Sequence, residues 1–520
     1  MAGFLKNTTK KLMNMIKKPL KYLAGAIAAA GLFFYVKYYA LTFPVVIVYT
    51  NDLHGNILPR KGEGGMAALA AFLKKLPDDT LLLDAGDFFQ GTPESDLSGG
   101  KNTVLAMNRL GYDAAAVGNH EFDFGQKNLS ALSKTAGFPF LAANIYRKNP
   151  AGQKHSGERP VYIKPYTIKE VKGARIAIFG LTSERTPAMS MPANVDGLIF
   201  ADAAEEARRM VAELSEKADT IIALSHLGFE KDGAAWRGDR ALAADVDGID
   251  AIIGAHTHTE VRGKKIGRTL IVQTSGGGRT VGKMTLRLDK KTKKPRLITN
   301  RIVKISSVRY GEDSGMKKFV DGITSETSRK LGKVVGRAEA DIKRGAKGAE
   351  SPMGNLLTDI MRQKAAAQLA FHNPGGIRAD FKSGDITLRD VYSVNPFDNT
   401  IVTMKMTGAT VRELLLNSFD GQYGTLQISG MRVVYERETK KLSAAVADGD
   451  GTSRLDDKKI YTVATNSFLA AGGDGFGIFA AAKSRRDTGI SFRDAVTEYL
   501  QKTGSIPARR GKPDGRIEIK

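Results

Sequence analysis

Along the chain, short apolar runs alternate with stretches whose apolar residues recur at helical spacing, and the runs stop in the same kind of place. Residues 45–49 lead into Asn51-Asp52-Leu53-His54, and residues 80–83 into Asp84-Ala85-Gly86-Asp87. Residues 114–117 lead into Gly118-Asn119-His120-Glu121-Phe122-Asp123, residues 220–224 into Ser225-His226, and residues 251–253 into Gly254-Ala255-His256-Thr257-His258. Runs of this length, apolar throughout, predict strands of a largely buried sheet with helices on its faces. Ligands of such sheets bind beyond the carboxyl ends of the strands, so five strand ends are expected to converge on one edge. Runs at 175–181 and 269–274 add two more strands, and helical spacing places helices over 66–76, 102–110 and 201–217.

The pattern continues to about residue 305, where a polar, charged segment follows. Single cores stop growing at roughly 250–300 residues, so a chain of 520 residues is expected to divide. We read residues 44–307 as a first domain, 308–336 as a linker with a helix around 316–331, and 337–520 as a second domain. Ahead of these, Lys6, Lys10, Lys11, Lys17, Lys18 and Lys21 precede an apolar stretch over 22–43 that only Lys37 interrupts, and no acidic residue appears before Asp52. A positive flank with an apolar middle is the pattern of a signal sequence or a membrane anchor. No Ala-x-Ala cleavage site is clear after Val36, so the expectation is an uncleaved anchor in the cytoplasmic membrane with the folded part outside, in the periplasm or on the cell surface. A cleaved signal peptide is the alternative.

Composition narrows the chemistry. There is no cysteine, which excludes disulfides and thiolate metal sites and leaves His, Asp, Glu and Asn as metal ligands. A formal charge of +23 favours anionic partners, but no basic cluster is interleaved with aromatics, so nucleic acid is not expected. If extended, Asp52-x-His54 and His256-x-His258 each put two ligands on one face. With Asp87, Asn119 and His226 they make seven N or O donors, enough for two divalent ions sharing a carboxylate. Such ions polarise a phosphoryl oxygen and activate water. His120 follows a candidate ligand directly, and Asp123 three residues on can hold its ring and favour the imidazolium. Each short motif alone is as well explained by a turn or a cap; five of them in this order at strand ends are not. A phosphate loop at Gly62-x-Gly64-Gly65 lacks the following Lys-Ser/Thr, and is read as the opening of the 66–76 helix.

These blocks resemble the signature motifs of the calcineurin-like metallophosphoesterases. Asn119 to Gly125, reading Asn-His-Glu-Phe-Asp-Phe-Gly, is similar more narrowly to the bacterial periplasmic and animal ecto-5'-nucleotidase family. The second half carries its own similarity, to that family's carboxy-terminal domain, in residues 351–356, 373–378, 395–399 and 466–476. The resemblance implies an α/β chain: a four-layered α/β/β/α metallophosphoesterase domain, a linker helix and an α+β substrate-binding domain. It implies Asp52, His54, Asp87 and His258 on one metal and Asp87, Asn119, His226 and His256 on the other, with His120 and Asp123 as a catalytic dyad. His258 departs from members with Gln or Asn there. Asn373, Gly376 and Arg378 are expected at the phosphate, Phe468 on the base and Asp474 on the ribose. Metal identity stays open among Zn, Mn, Co and Fe.

The implied function is hydrolysis of 5'-nucleotides to nucleoside and phosphate by attack of a metal-bridging water, with the second domain rotating about the linker. There are two departures. Ala349 stands where the family has Arg, with Lys347 or Arg344 as substitutes, and Thr425 stands where a second aromatic would sandwich the base, with Tyr423 nearby. The alternatives are therefore a 2',3'-cyclic nucleotide phosphodiesterase or UDP-sugar hydrolase on the same scaffold, or an inactive nucleotide-binding envelope protein. The sequence gives no oligomeric state.

Overall fold

The computed structural model describes residues 22–23, 25–33, 35–60, 62–149, 157–230, 236–346, 348–421, 424–448 and 451–520. The first part of the chain forms β1 (Thr42–Thr50), β2 (Leu81–Asp84), β3 (Ala114–Ala116), β4 (Phe140–Leu141), β5 (Tyr166–Val171) and β6 (Ala174–Thr182). After these come β7 (Thr220–His226), β8 (Ala251–Gly254), β9 (Val261–Ile266), β10 (Thr269–Gln273), β11 (Thr280–Asp289) and β12 (Pro295–Lys304). They build two six-stranded sheets, ordered β12-β11-β1-β2-β3-β4 and β9-β10-β8-β7-β6-β5.

Side-chain alternation along the strands sets the layers. Val45, Ile47 and Tyr49 of β1 enter a core between the sheets, where they meet Ile176, Ile178, Ile222, Leu224 and Ile253. Val48 and Leu82 point the other way, onto the helices Lys101–Leu110 and Gly125–Thr135 through Val104, Met107 and Leu129. Phe179, Ile221 and Ile252 pack outward against Ala207, Met210 and Leu214 of the helix Ala203–Leu214. The result is α/β/β/α, each large side chain so buried stabilising by roughly 1.5–3 kcal/mol. Parallel pairing puts Thr50 beside Asp84 and Gly254 beside Ser225, so strands of both sheets end level.

The helix Ser314–Leu331 is capped by Asp313, whose Oδ1 accepts from Met316 N at 2.7 Å. Its Met316 and Val320 enter the core beneath the first sheet, and Ile323 O accepts from Asn102 Nδ2 at 3.1 Å. Residues 332–333 alone separate it from Val334–Ala338, which pairs with Gly384–Thr387 in the second part of the chain. There a five-stranded sheet, Gln427–Ser429, Leu369–His372, Ile460–Asn466, Thr400–Thr407 and Lys483–Ser491, neighbours a four-stranded one ending in Ile517–Ile519.

The expected anchor over 22–43 is not supported by a spanning helix. Among the described residues no helix is long and apolar enough to cross a membrane. Helical residues from 22 give way to a π turn at Val36–Ala40, and Thr42 already pairs with Asp289 in the first sheet. The uninterrupted apolar stretch, 22–36, is shorter than the ~20 helical residues that a hydrocarbon core requires. The lysines from Lys6 to Lys21 lie outside the described residues.

Candidate active site

All five polar loops meet at the level strand ends. Their ligand-type atoms fall into groups within 4.8 Å of one another: Asp52, His54 and His258; His54, Asp87 and His120; and Asp87, His226 and His256. Asp87 belongs to two groups, which is the arrangement a carboxylate shared by two cations requires. Asp52 and His54 do not sit side by side as alternating strand residues. Their φ angles are 49° and 46°, with 57° at Asp87, 71° at His256 and 52° at His258. Left-handed backbone at non-glycine residues costs of order 1–3 kcal/mol each and clusters at functional sites. It is these turns that bring the side chains together, so the expectation from strand alternation is replaced by loop geometry.

The hydrogen bonds fix ring orientations that suit a cation. His54 Nδ1 lies 2.8 Å from Gln90 O and His226 Nδ1 2.9 Å from Ala85 O. A carbonyl can only accept, so each Nδ1 carries a proton and, in the neutral ring, Nε2 keeps its lone pair. His54 Nε2 then faces His258 Nε2 at 3.2 Å, with Asp52 Oδ1 3.4 Å from the latter. His226 Nε2 faces Asp87 Oδ2 at 3.0 Å. Asn119 Oδ1 is buried without a partner. Lone pairs converging in this way fit divalent ions of the kind that His, Asp and Asn hold. Burial pulls His226 down, but the Asp87 carboxylate outweighs it and pushes the ring up to about 10, so Nε2 too carries a proton facing Asp87 until a cation displaces it. Burial and the neighbouring Arg378 and His258 hold His54 well below the ordinary imidazole range.

Glu121, an unassigned member of the third loop, supports this geometry. Its carboxylate accepts from Asp87 N at 2.8 Å, Phe88 N at 3.0 Å and Gly118 N at 2.7 Å, tying the second loop to the third. Gly118 itself has to be glycine, because a Cβ there would lie 2.3 Å from Asp87 Oδ1. His120 Nδ1 meets Asp123 Oδ2 at 2.6 Å. Burial lowers the His120 ring, yet the Asp123 and Asp87 carboxylates raise it above its ordinary value.

The second half of the chain closes over these loops. Arg378 Nη2 lies 3.4 Å from His54 Nε2, and the Phe397 ring stacks at 5.9 Å on His120. Asn373 donates to Asp474 Oδ2 at 2.7 Å and accepts from Asn466 at 3.0 Å. Gly376 sits against Asn373, and Gly473 lets the half-buried Phe468 ring approach where a Cβ would lie 2.5 Å away. Arg344 lines a cavity of about 130 Å³ with Pro374 and Arg378, and donates to Arg378 O at 3.1 Å. Of the two basic substitutes for Ala349, Arg344 is therefore at the site, and Lys347 lies outside the described residues. Thr425 is buried, and Tyr423 lies outside the described residues. Sequence reasoning assigned no role to Glu121, Phe397 or the Glu94–Arg389 ion pair that joins the two halves. Phe397, the one aromatic in residues 395–399, was the available signal.

Comparison with known proteins agrees with this site. The calcineurin-like phosphoesterase family model matches residues 45–260, and the 5'-nucleotidase C-terminal domain model matches residues 334–481. A 5'-nucleotidase of Vibrio cholerae is 31% identical, over 92% of this chain and 93% of its own. Snake venom 5'-nucleotidase of Naja atra is 30% identical, over 91% of this chain and 98% of its own. The crystal structure of a 5'-nucleotidase precursor from Thermus thermophilus superposes with a TM-score of 0.81 at 30% identity, covering 92% of this chain and 99% of that one. Two halves that each match, and relatives that match along nearly the whole length, leave one conclusion: the chain belongs to the 5'-nucleotidase family of calcineurin-like phosphoesterases, which are metal-dependent phosphoester hydrolases.

Proposed function

We propose that this chain is an exported two-metal 5'-nucleotidase that cleaves nucleoside 5'-monophosphates to nucleoside and phosphate. The observation that carries the reading is the approach of Arg378 to within 3.4 Å of His54, which sets an anion-binding guanidinium from the second half against the ligand cluster of the first. A guanidinium can hold a phosphate through two hydrogen bonds, and Arg344 beside it adds a second cation. Asp52, His54, Asp87 and His258 would hold one divalent ion, and Asp87, Asn119, His226 and His256 the other. Bound there, the ions supply charge for the phosphoryl oxygens and a water of lowered pKa. His120, held as imidazolium by Asp123, donates a proton or hydrogen bond to the departing ribose oxygen. Phe468 offers a face to the base, while Asn373, Gly376 and Asp474 position the sugar and phosphate.

Domain boundaries at 44–307, 308–336 and 337–520 are part of the reading, with rotation of the second domain about residues 332–333. Export rests on the basic, then apolar, amino-terminal sequence and on a relative named for snake venom. A second reading is favoured by Thr425, buried where a base-stacking ring belongs: a 2',3'-cyclic nucleotide or UDP-sugar phosphoesterase.

Phosphate or nucleoside release from AMP, UDP-glucose, 2',3'-cyclic AMP and an aryl phosphate separates the readings, using the full chain loaded with each metal. Preference for AMP is expected, with His120→Ala slowing it roughly 10²–10⁴-fold and Asn119→Ala/His120→Ala abolishing it. Faster turnover of another ester moves the function to the second reading, and turnover of none overturns both.

A further inference from the structure

Away from the catalytic cleft, the second half of the chain holds a cavity of about 570 Å³ between the helix Pro352–Lys364, the strand Met431–Glu436 and the carboxy-terminal segment. A cleft of that size is in the range that accommodates small molecules. Its floor is locked: Arg516 bonds Asp359 at 2.7 and 2.9 Å and Asp514 at 2.8 and 2.9 Å, and Arg510 pairs with Asp359 on the other side.

The locked pairs consume both acids in the lining, and the other cations stay over. Arg432, Arg509 and Lys512 line the same cavity, are exposed, and make no ion pair among the described residues. Arg362 commits only its Nε, to Ser429 Oγ at 2.9 Å. Like charges around one concavity, with no acid of the lining left to pair them, concentrate positive potential there and favour an anion between them. Asn355 beneath them is 3% exposed and donates through Nδ2 to Glu350 at 2.6 Å and to Asp514 at 3.3 Å, which fixes the wall that carries the cations.

We propose that this cavity is a binding site for a small, soluble oligoanion, a molecule with two or more phosphoryl groups. Arg432, Arg509, Lys512 and the free end of Arg362 face the phosphoryl groups. Guanidinium forks suit phosphate geometry, and four cations exceed what a single monoanion would neutralise.

The test is calorimetric titration of the full chain with methylene-bridged triphosphate, which the catalytic site cannot hydrolyse, and with inorganic phosphate as comparator. Two classes of site are expected in the unaltered protein. Arg378→Ala should weaken the catalytic one alone, and Arg509→Gln/Lys512→Gln the other alone, by about tenfold or more, the scale of one charge-assisted hydrogen bond. Both substituted side chains are exposed and unpaired, so the fold should persist, as circular dichroism will show. Lys290→Gln/Lys291→Gln removes the same charge from an exposed turn of the first half and should change neither class. The proposal is overturned if Arg509→Gln/Lys512→Gln leaves both classes intact, or if the Lys290/Lys291 control weakens binding equally. It is overturned in favour of a lipid surface if the pocket variant instead loses co-sedimentation with phosphatidylglycerol vesicles while triphosphate binding is unchanged.

Discussion

At the scale of single residues, the site is organised around who holds whose proton. His54 and His226 both donate Nδ1–H to backbone carbonyls and turn Nε2 to the centre, where the His54 nitrogen is an acceptor and the His226 nitrogen meets Asp87, whereas His120 points Nδ1 at Asp123. The His120 ring is raised above its ordinary value by Asp123 and Asp87 against the effect of burial, so the imidazolium persists to higher pH than a free histidine. A rate that needs this proton is therefore full at low pH and falls as pH rises through the raised value. Asp123→Asn removes the larger of the two attractions, so the alkaline limb of kcat against pH should move down towards the usual histidine range. An unmoved limb would show that another group sets it. The identity of these residues was legible because each polar motif closes an apolar run. The backbone that aims them was not: nothing in Asp52-x-His54 says that both residues take φ near +50°, since the strain is set by loops packed from distant parts of the chain. Glu121 was equally silent, because a carboxylate that serves three backbone N–H groups looks in sequence like any acid in the motif.

Elements bring the two halves into register. The helix around 316–331 was visible from its spacing, but its partner was not: Met316 and Val320 join the core of the first half, which leaves residues 332–333 as the short connection to the second. Across the cleft, the helix Leu388–Val394 presents Arg389 to Glu94, which is 4% exposed and opens the second loop's short helix Pro93–Asp96. In the closed arrangement, loss of Arg389 leaves the buried Glu94 unpaired, a penalty of roughly 3–5 kcal/mol that opening relieves. Arg389→Met should thus shift the population towards an open state, and Arg389→Met/Glu94→Gln should restore much of the closed one. The absence of cysteine makes the measurement direct: dyes on Lys290→Cys and Lys502→Cys, one in each half, report the interdomain distance. If the single variant and the double variant give the same distribution as the parent, the pair does not control closure. No spacing rule could have found this clasp, because its partners are 295 positions apart and neither belongs to a recognisable motif.

For the whole molecule, the layered α/β/β/α order was implied by the family resemblance, and the structure builds it by side-chain alternation in strands such as β1, where Val45, Ile47 and Tyr49 face one core and Val48 another. At the amino terminus the apolar stretch shares Thr42 and Phe43 with the first strand, and among the described residues no helix there is long and apolar enough to cross a membrane. The division of labour between the halves makes a thermodynamic prediction. Among the described residues, every candidate ligand and seven of the eleven non-glycine residues with positive φ belong to the first half. Ions bound there stabilise only the native state of that half, by about 2.7 kcal/mol at a hundredfold excess over the dissociation constant. Each kcal/mol is roughly 2–4 °C in Tm for a unit of this size, so chelation should lower one calorimetric transition by about 5–10 °C. The second half holds its own cores and, among the described residues, no candidate ligand group, and its transition should stay where it was. Readdition of metal should restore the first transition alone. If instead a single peak moves as a unit, the clasp and the packed helix Ser314–Leu331 couple the halves more tightly than residues 332–333 uncouple them, and rotation during turnover would then have to break that coupling in every cycle.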